Sequence, residues 1–151
     1  MRQLGRSVLC FYLYPALRSV LQRMLKQPTP AVTPSDVDRI VRRDFPPEQF
    51  DAVMNLLNEY GAEGWQRERP RVQLAALKLA GGDLKKLRYQ IDSAKCDYRD
   101  VLSGAEYPGY SRKCTGLRQP SPEERKQVIE NDWKQYHSWL KGEADDHHQG
   151  D

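Results

Sequence analysis

The chain has 151 residues, 38% of them hydrophobic and 30% charged, enough for one modest core and too few for two comfortable domains. Mean hydropathy is strongly polar at -0.83, yet the apolar residues arrive in periodic groups, which excludes a chain disordered throughout. The net charge of +3 conceals a gradient: residues 1–30 sum to +5 with no acid, 31–60 to -3, 61–120 to +5 and 121–151 to -4. Overall basicity is therefore poor evidence for nucleic-acid binding.

Residues 1–26 place Arg2 and Arg6 before the apolar run Val8-Leu9-Cys10-Phe11-Tyr12-Leu13-Tyr14, and Arg18, Arg23 and Lys26 after it. The run is short for a signal peptide, Pro15 interrupts it, and no Ala-x-Ala-like cleavage site follows. A membrane-spanning helix needs about 20 apolar residues, so no integral membrane segment is expected. A basic amphipathic leader touching a membrane surface, or an extension upstream of Met24, fits better. Gln27-Pro28-Thr29-Pro30-Ala31-Val32 then reads as an extended, exposed proline-rich linker. The expected organisation is a flexible basic leader and linker over 1–32, one helical domain over 33–141, and a disordered acidic tail over 142–151.

Within the domain, Thr33 or Ser35 caps a helix with Asp36 and Asp38 in its first turn and Val37, Ile40 and Val41 on its apolar stripe. Phe45-Pro46-Pro47 stops it, and Pro47 opens a second helix carrying Phe50, Val53, Met54, Leu57 and Tyr60 up to Gly61. The stretch Val72-Gln73-Leu74-Ala75-Ala76-Leu77-Lys78-Leu79-Ala80 is apolar on nearly every side, which marks a central helix. Gly81-Gly82 ends it and Asp83 caps the next. There Leu84, Leu87, Ile91, Ala94, Tyr98, Val101 and Ala105 recur at three-four spacing, predicting one long helix to Glu106 with a continuous buried seam. Residues 108–120 read as a loop. Ser121-Pro122-Glu123-Glu124 is a capping box opening a last helix faced by Val128, Ile129, Trp133, Tyr136 and Leu140. The predicted fold class is all-α: a compact bundle of four to five helices.

Residues 71–84, with Asp97-Tyr98-Arg99-Asp100-Val101-Leu102 and Ala105-Glu106-Tyr107-Pro108, resemble stretches in a family of small, uncharacterised, mostly helical bacterial proteins. The resemblance spans about residues 36–110. It implies a bacterial cytosolic origin and no activity.

Candidate chemistry is sparse. Asp97, Arg99, Asp100 and Glu106 form the one dense acidic cluster near aromatic residues, with Asp97 and Asp100 one helical turn apart, where two carboxylates could divide acid and base roles. A solvated helix face is the simpler reading, since no nucleophile, phosphate loop or metal motif accompanies them. Asp145-Asp146-His147-His148 lies in the tail without preorganised metal geometry, and His137 beside Tyr136 is a helix-face imidazole. No metal site, catalytic residue or cofactor is predicted. Cys10, Cys96 and Cys114 form no Cys-x-x-Cys pair or disulfide framework, which fits a reducing, cytoplasmic setting.

Arg67, Arg69 and Arg71 around Trp65, followed by Lys78, Lys85, Lys86 and Arg88, could meet phosphates, although Glu68, Asp83 and Asp92 dilute them. Trp133, Tyr136 and Trp139 on the last helix are candidate anchors for a partner, with Trp139 off the main stripe and expected to stay exposed. The leading expectation is a non-catalytic interaction or accessory module whose partner is a protein or a second copy of the chain. The alternatives are nucleic-acid association through residues 61–120 and, more weakly, an enzyme with an unrecognised carboxylate site.

Overall fold

A computed structural model describes residues 27–114 and 118–143. The apolar leader, the acidic Asp145–His148 stretch and the rest of the tail expected to be disordered lie outside the described residues. Six α-helices are present there: α1 (Pro34–Asp44), α2 (Phe50–Asn58, entered through a 3-10 turn Pro47–Gln49), α3 (Arg69–Ala80), α4 (Leu84–Glu106), α5 (Pro108–Cys114) and α6 (Pro122–Lys141). The fold is all-α, with no strand among the described residues.

Local chemistry accounts for the starts of α1, α4 and α6. The Thr33 amide and hydroxyl both donate to the Asp36 carboxylate at 2.9 Å; the amide first, then the Arg39 guanidinium, holds that carboxyl below its ordinary pKa. Asp83 accepts from the Lys85 and Lys86 amides at 2.8 and 3.0 Å, satisfying donors that the first turn of α4 would otherwise leave open. At α6 the Ser121 hydroxyl accepts from the Glu124 amide while the Glu124 carboxylate accepts from the Ser121 amide, the reciprocal box the sequence predicts.

The α3 helix is the centre. Val72, Leu74, Ala75, Ala76, Leu77 and Ala80 are buried, and the helix packs against α4 on one side and α1 on another. Burial on nearly every side is what its largely apolar composition requires, and the buried Gln73 amide donates to the Leu57 carbonyl at 2.9 Å. Between α3 and α4 the chain turns at Gly81 and Gly82, both with positive φ. A Cβ at Gly82 would lie 2.7 Å from the Asp44 carbonyl oxygen, so α1 closes against this turn only because no side chain is there.

Three expectations are corrected. First, α4 has the predicted bounds but is not continuous: Asp97 has φ -151 and ψ 101, a non-helical conformation that bends the helix. Its carboxylate accepts from the Arg99 amide at 3.0 Å, so Asp97 acts as an N-cap for the segment that follows. The seam survives the bend, with Leu87, Ile91 and Ala94 buried before it and Val101 and Ala105 after it.

Second, residues 108–114 are helical rather than loop. The Asp132 carboxylate, on α6, accepts from the Gly109 and Tyr110 amides at 3.1 and 2.8 Å and caps α5 from outside. Third, the proline-rich linker is not fully exposed: Pro30 is buried, Val32 packs on the core, and the Tyr107 hydroxyl donates to the Pro28 carbonyl.

The C-terminal end of α6 is held by α1. Arg39 and Arg43 donate to the Leu140 and Trp139 carbonyls at 2.8 and 2.6 Å, placing two cations where the helix dipole is negative.

Candidate functional site

The acidic cluster is dispersed by the bend in α4. Asp97 and Arg99 form an exposed pair, with Arg99 Nε 2.8 Å and Nη2 2.6 Å from the two carboxylate oxygens of Asp97; that guanidinium is the main cause of the lowered Asp97 pKa. Asp100 is exposed beside it. Glu106 is elsewhere, 1% exposed in the interior.

Glu106 receives a two-pronged contact from Arg71 of α3, Nε to Oε1 at 2.7 Å and Nη2 to Oε2 at 2.6 Å. The other amino group of Arg71 pairs with Glu68, whose φ of 52 is unusual for a residue with a side chain. The two carboxylates, Glu106 first, raise the Arg71 pKa against the opposing effect of burial. In a straight antiparallel hairpin Arg71 would face residues near 93, and Glu106 would lie on the order of 20 Å farther along at about 1.5 Å per residue. The bend at Asp97 returns the chain across α3, where Gly104 lies against Leu79 and Glu106 reaches Arg71.

The aromatic trio on α6 mostly docks that helix. Tyr136 is fully buried; its hydroxyl has no hydrogen-bond partner among the described residues, and burial raises its pKa. Trp139, expected to be exposed, is partly buried against the core, its ring centroid 5.5 Å from that of Tyr136 and the Arg43 guanidinium 5.3 Å above it. Trp133 lies at 5.1 Å from the His137 ring. Among the described residues the large aromatics that face solvent are Tyr89 on α4, 69% exposed, and Trp65 in the α2–α3 connection, 49% exposed.

The basic residues of 61–120 do not share one environment. Arg71 is inside, Arg69 donates to the Asn58 side-chain carbonyl at 2.7 Å, and the Lys78 ammonium lies 5.8 Å over the Tyr136 ring. Arg88 and Lys95 both reach Glu59, each at 2.6 Å, and hold its carboxyl down at about 2, Arg88 contributing most.

Between α2 and the opening of α4 the surface stays open. Ala52, Leu56, Leu84, Lys85 and Arg88 line a shallow groove of about 380 Å³ with an apolar floor. Lys85 and Arg88 supply its charged edge on α4, whereas Asp51 on α2 lines a separate depression with Arg42, Phe45, Pro47 and Phe50. Sequence reasoning did not bring the groove residues together.

Comparison with protein families, with curated proteins and with solved structures finds no match to this chain. Among the described residues no helix is long and apolar enough to cross a membrane, and no group of three or more His, Cys, Asp or Glu side chains is placed to hold a metal ion.

Proposed function

We propose that this chain is a non-catalytic interaction module working through the α2–α4 face. The observation that carries the reading is the groove itself: an apolar surface of Ala52, Leu56 and Leu84 edged by the cations Lys85 and Arg88. Surfaces of this make-up match the centre-and-rim anatomy of protein interfaces. The carboxylates that could have done acid–base work support the same reading. Glu106 is bound by Arg71, Asp132 by two backbone amides and Asp97 by Arg99, so each has a holding role in the fold. A reducing setting such as a bacterial cytosol is part of the proposal, supported by Cys96, an exposed free thiol.

The test is a photo-reactive side chain placed at the exposed groove residue 52 and, separately, at the exposed residue 134 on α6, in cells that make the protein natively. The expected result is a discrete covalent protein adduct from residue 52 and none from residue 134. Adducts from neither position, or from both alike, would sink the assignment to this face.

A further inference from the structure

We propose that the depression where α1, α2 and α3 meet binds a small zwitterion with an apolar side chain, a free amino acid or short peptide, whose carboxylate is held by Arg69 and whose ammonium is held by Asp38 and the Gln73 side-chain carbonyl. The depression shares no lining residue with the α2–α4 groove, so the inference goes beyond the interaction-module reading and does not depend on it.

The depression encloses about 330 Å³, and Val37 and Asp38 of α1, Met54 and Asn58 of α2, and Arg69 and Gln73 of α3 are among its lining residues. That volume is at the lower end for small-molecule pockets, about 300 to 1,000 Å³. Asp38 and Arg69 are the charged residues of the lining. Neither makes an ion pair among the described residues, with the other or with any third group.

Gln73 lies in the buried run from Val72 to Leu77 and is 6% exposed. Its Nε2 donates to the Leu57 carbonyl at 2.9 Å, which fixes the amide and leaves Oε1 with no hydrogen-bond partner among the described residues. An amide oxygen so placed accepts readily from a ligand N–H, because leaving it unpaired is costly. The guanidinium is positioned as well. Arg69 Nη2 donates to Asn58 Oδ1 at 2.7 Å, and the Arg69 stem crosses Gly61, where a Cβ would lie 2.6 Å from its Cδ. Asn58 is neutral, so it orients the cation without neutralising it, and the remaining N–H groups suit the two oxygens of a carboxylate.

These groups select both signs in one ligand. A simple anion would meet Arg69 and be repelled by Asp38, and a simple amine would meet the reverse. An amino acid or short peptide carries a carboxylate, an ammonium with N–H donors and a side chain that can lie on Val37 and Met54.

The test is nitrogen–proton NMR of the full chain titrated to millimolar L-leucine, L-methionine or L-leucyl-glycine, with isocaproate and isoamylamine as controls that lack the ammonium or the carboxylate. At least one zwitterion is expected to give saturable shifts at the Gln73 side-chain amide and at residues lining the depression, and to bind about tenfold or more tighter than either control, the scale of one lost hydrogen bond to a charged group. The dipeptide and the free amino acids then differ in affinity according to the span between the charges. Asp38→Asn and Arg69→Gln alter exposed side chains, and unchanged circular dichroism checks that each variant folds. Both should weaken the zwitterion by about tenfold, whereas Asp38→Asn should leave isocaproate no weaker than in the wild type. No saturable shift with any zwitterion, shifts confined to other surfaces, controls that bind as tightly, or affinities indifferent to both variants would each overturn the site.

Discussion

Two three-membered ionic groups in this molecule have inverse composition and different surroundings. In one, a guanidinium, Arg71, stands between Glu106 in the interior and Glu68 at the surface. On the surface one carboxylate, Glu59, stands between two cations, Arg88 and Lys95. Contact distances at Glu106 and Glu59 are alike, yet Glu106 is 1% exposed and the Glu59 side chain 36%. Water and salt screen the outer group, and its partners regain hydration when it breaks. Glu106 has no such alternative, so breaking its pair with Arg71 strands a buried charge. Distance alone therefore says little about what an ion pair contributes to a fold; what surrounds the pair decides it.

The largest expected effect follows from the inner group. Glu106→Gln keeps the shape and removes the charge, and should cost about 3 kcal/mol of unfolding free energy, the lower part of the range for a broken buried pair because Glu68 still faces Arg71. Chemical denaturation measures it. Replacing both partners with apolar residues, as in Arg71→Met/Glu106→Leu, should recover most of the loss, since no charge then stays buried. If Glu106→Gln costs nothing measurable, the contrast between the two groups fails.

Asp132 sharpens the comparison because it is buried, at 8% exposure, with no ion pair among the described residues. Its partners are the two amides at the start of α5. Asp132→Ala should cost about 1 to 2 kcal/mol, the scale of a lost helix cap, and should speed hydrogen exchange at the Gly109 and Tyr110 amides. Unchanged exchange at both would mean that α5 does not depend on this cap.

Glu59 gives the smallest effect. Its folded-state pKa of about 2 lies below the ordinary 4.5, so its stabilisation is fully present above about 4.5 and is lost as pH falls through about 2. Glu59→Gln should shift the denaturation midpoint at neutral pH less than Asp132→Ala does, and less still in high salt. Carboxyl-carbon NMR of the wild type should show Glu59 titrating near 2; a midpoint at its ordinary value would mean that Arg88 and Lys95 do not hold it in solution.

Features legible in the sequence were those encoded within a turn or two of helix. Thr33, Asp83 and Ser121 cap neighbours two or three residues away, and the three-four recurrence from Leu84 to Ala105 marks the buried side of α4 because side chains at that spacing share a face. The central place of α3 was legible because its run from Val72 to Ala80 is apolar on nearly every side. The bend at Asp97 was partly legible, since Asp favours caps over helix interiors, but the apolar spacing continues through it and hides it.

Tertiary structure alone decided the contacts between residues far apart in the chain. Glu106 meets Arg71 across 35 positions, Asp132 caps α5 across 22, and Arg43 and Arg39 hold the end of α6 across 96 and 101. A carboxylate or guanidinium looks the same in sequence whether it ends in water or against its opposite charge, because its partner is set by where the chain returns. That return depends on the turn at Gly82 and the bend at Asp97. It converted a presumed acidic cluster into one surface pair and one buried ionic group, drew the aromatic face of α6 inward, and left the groove between α2 and α4 open.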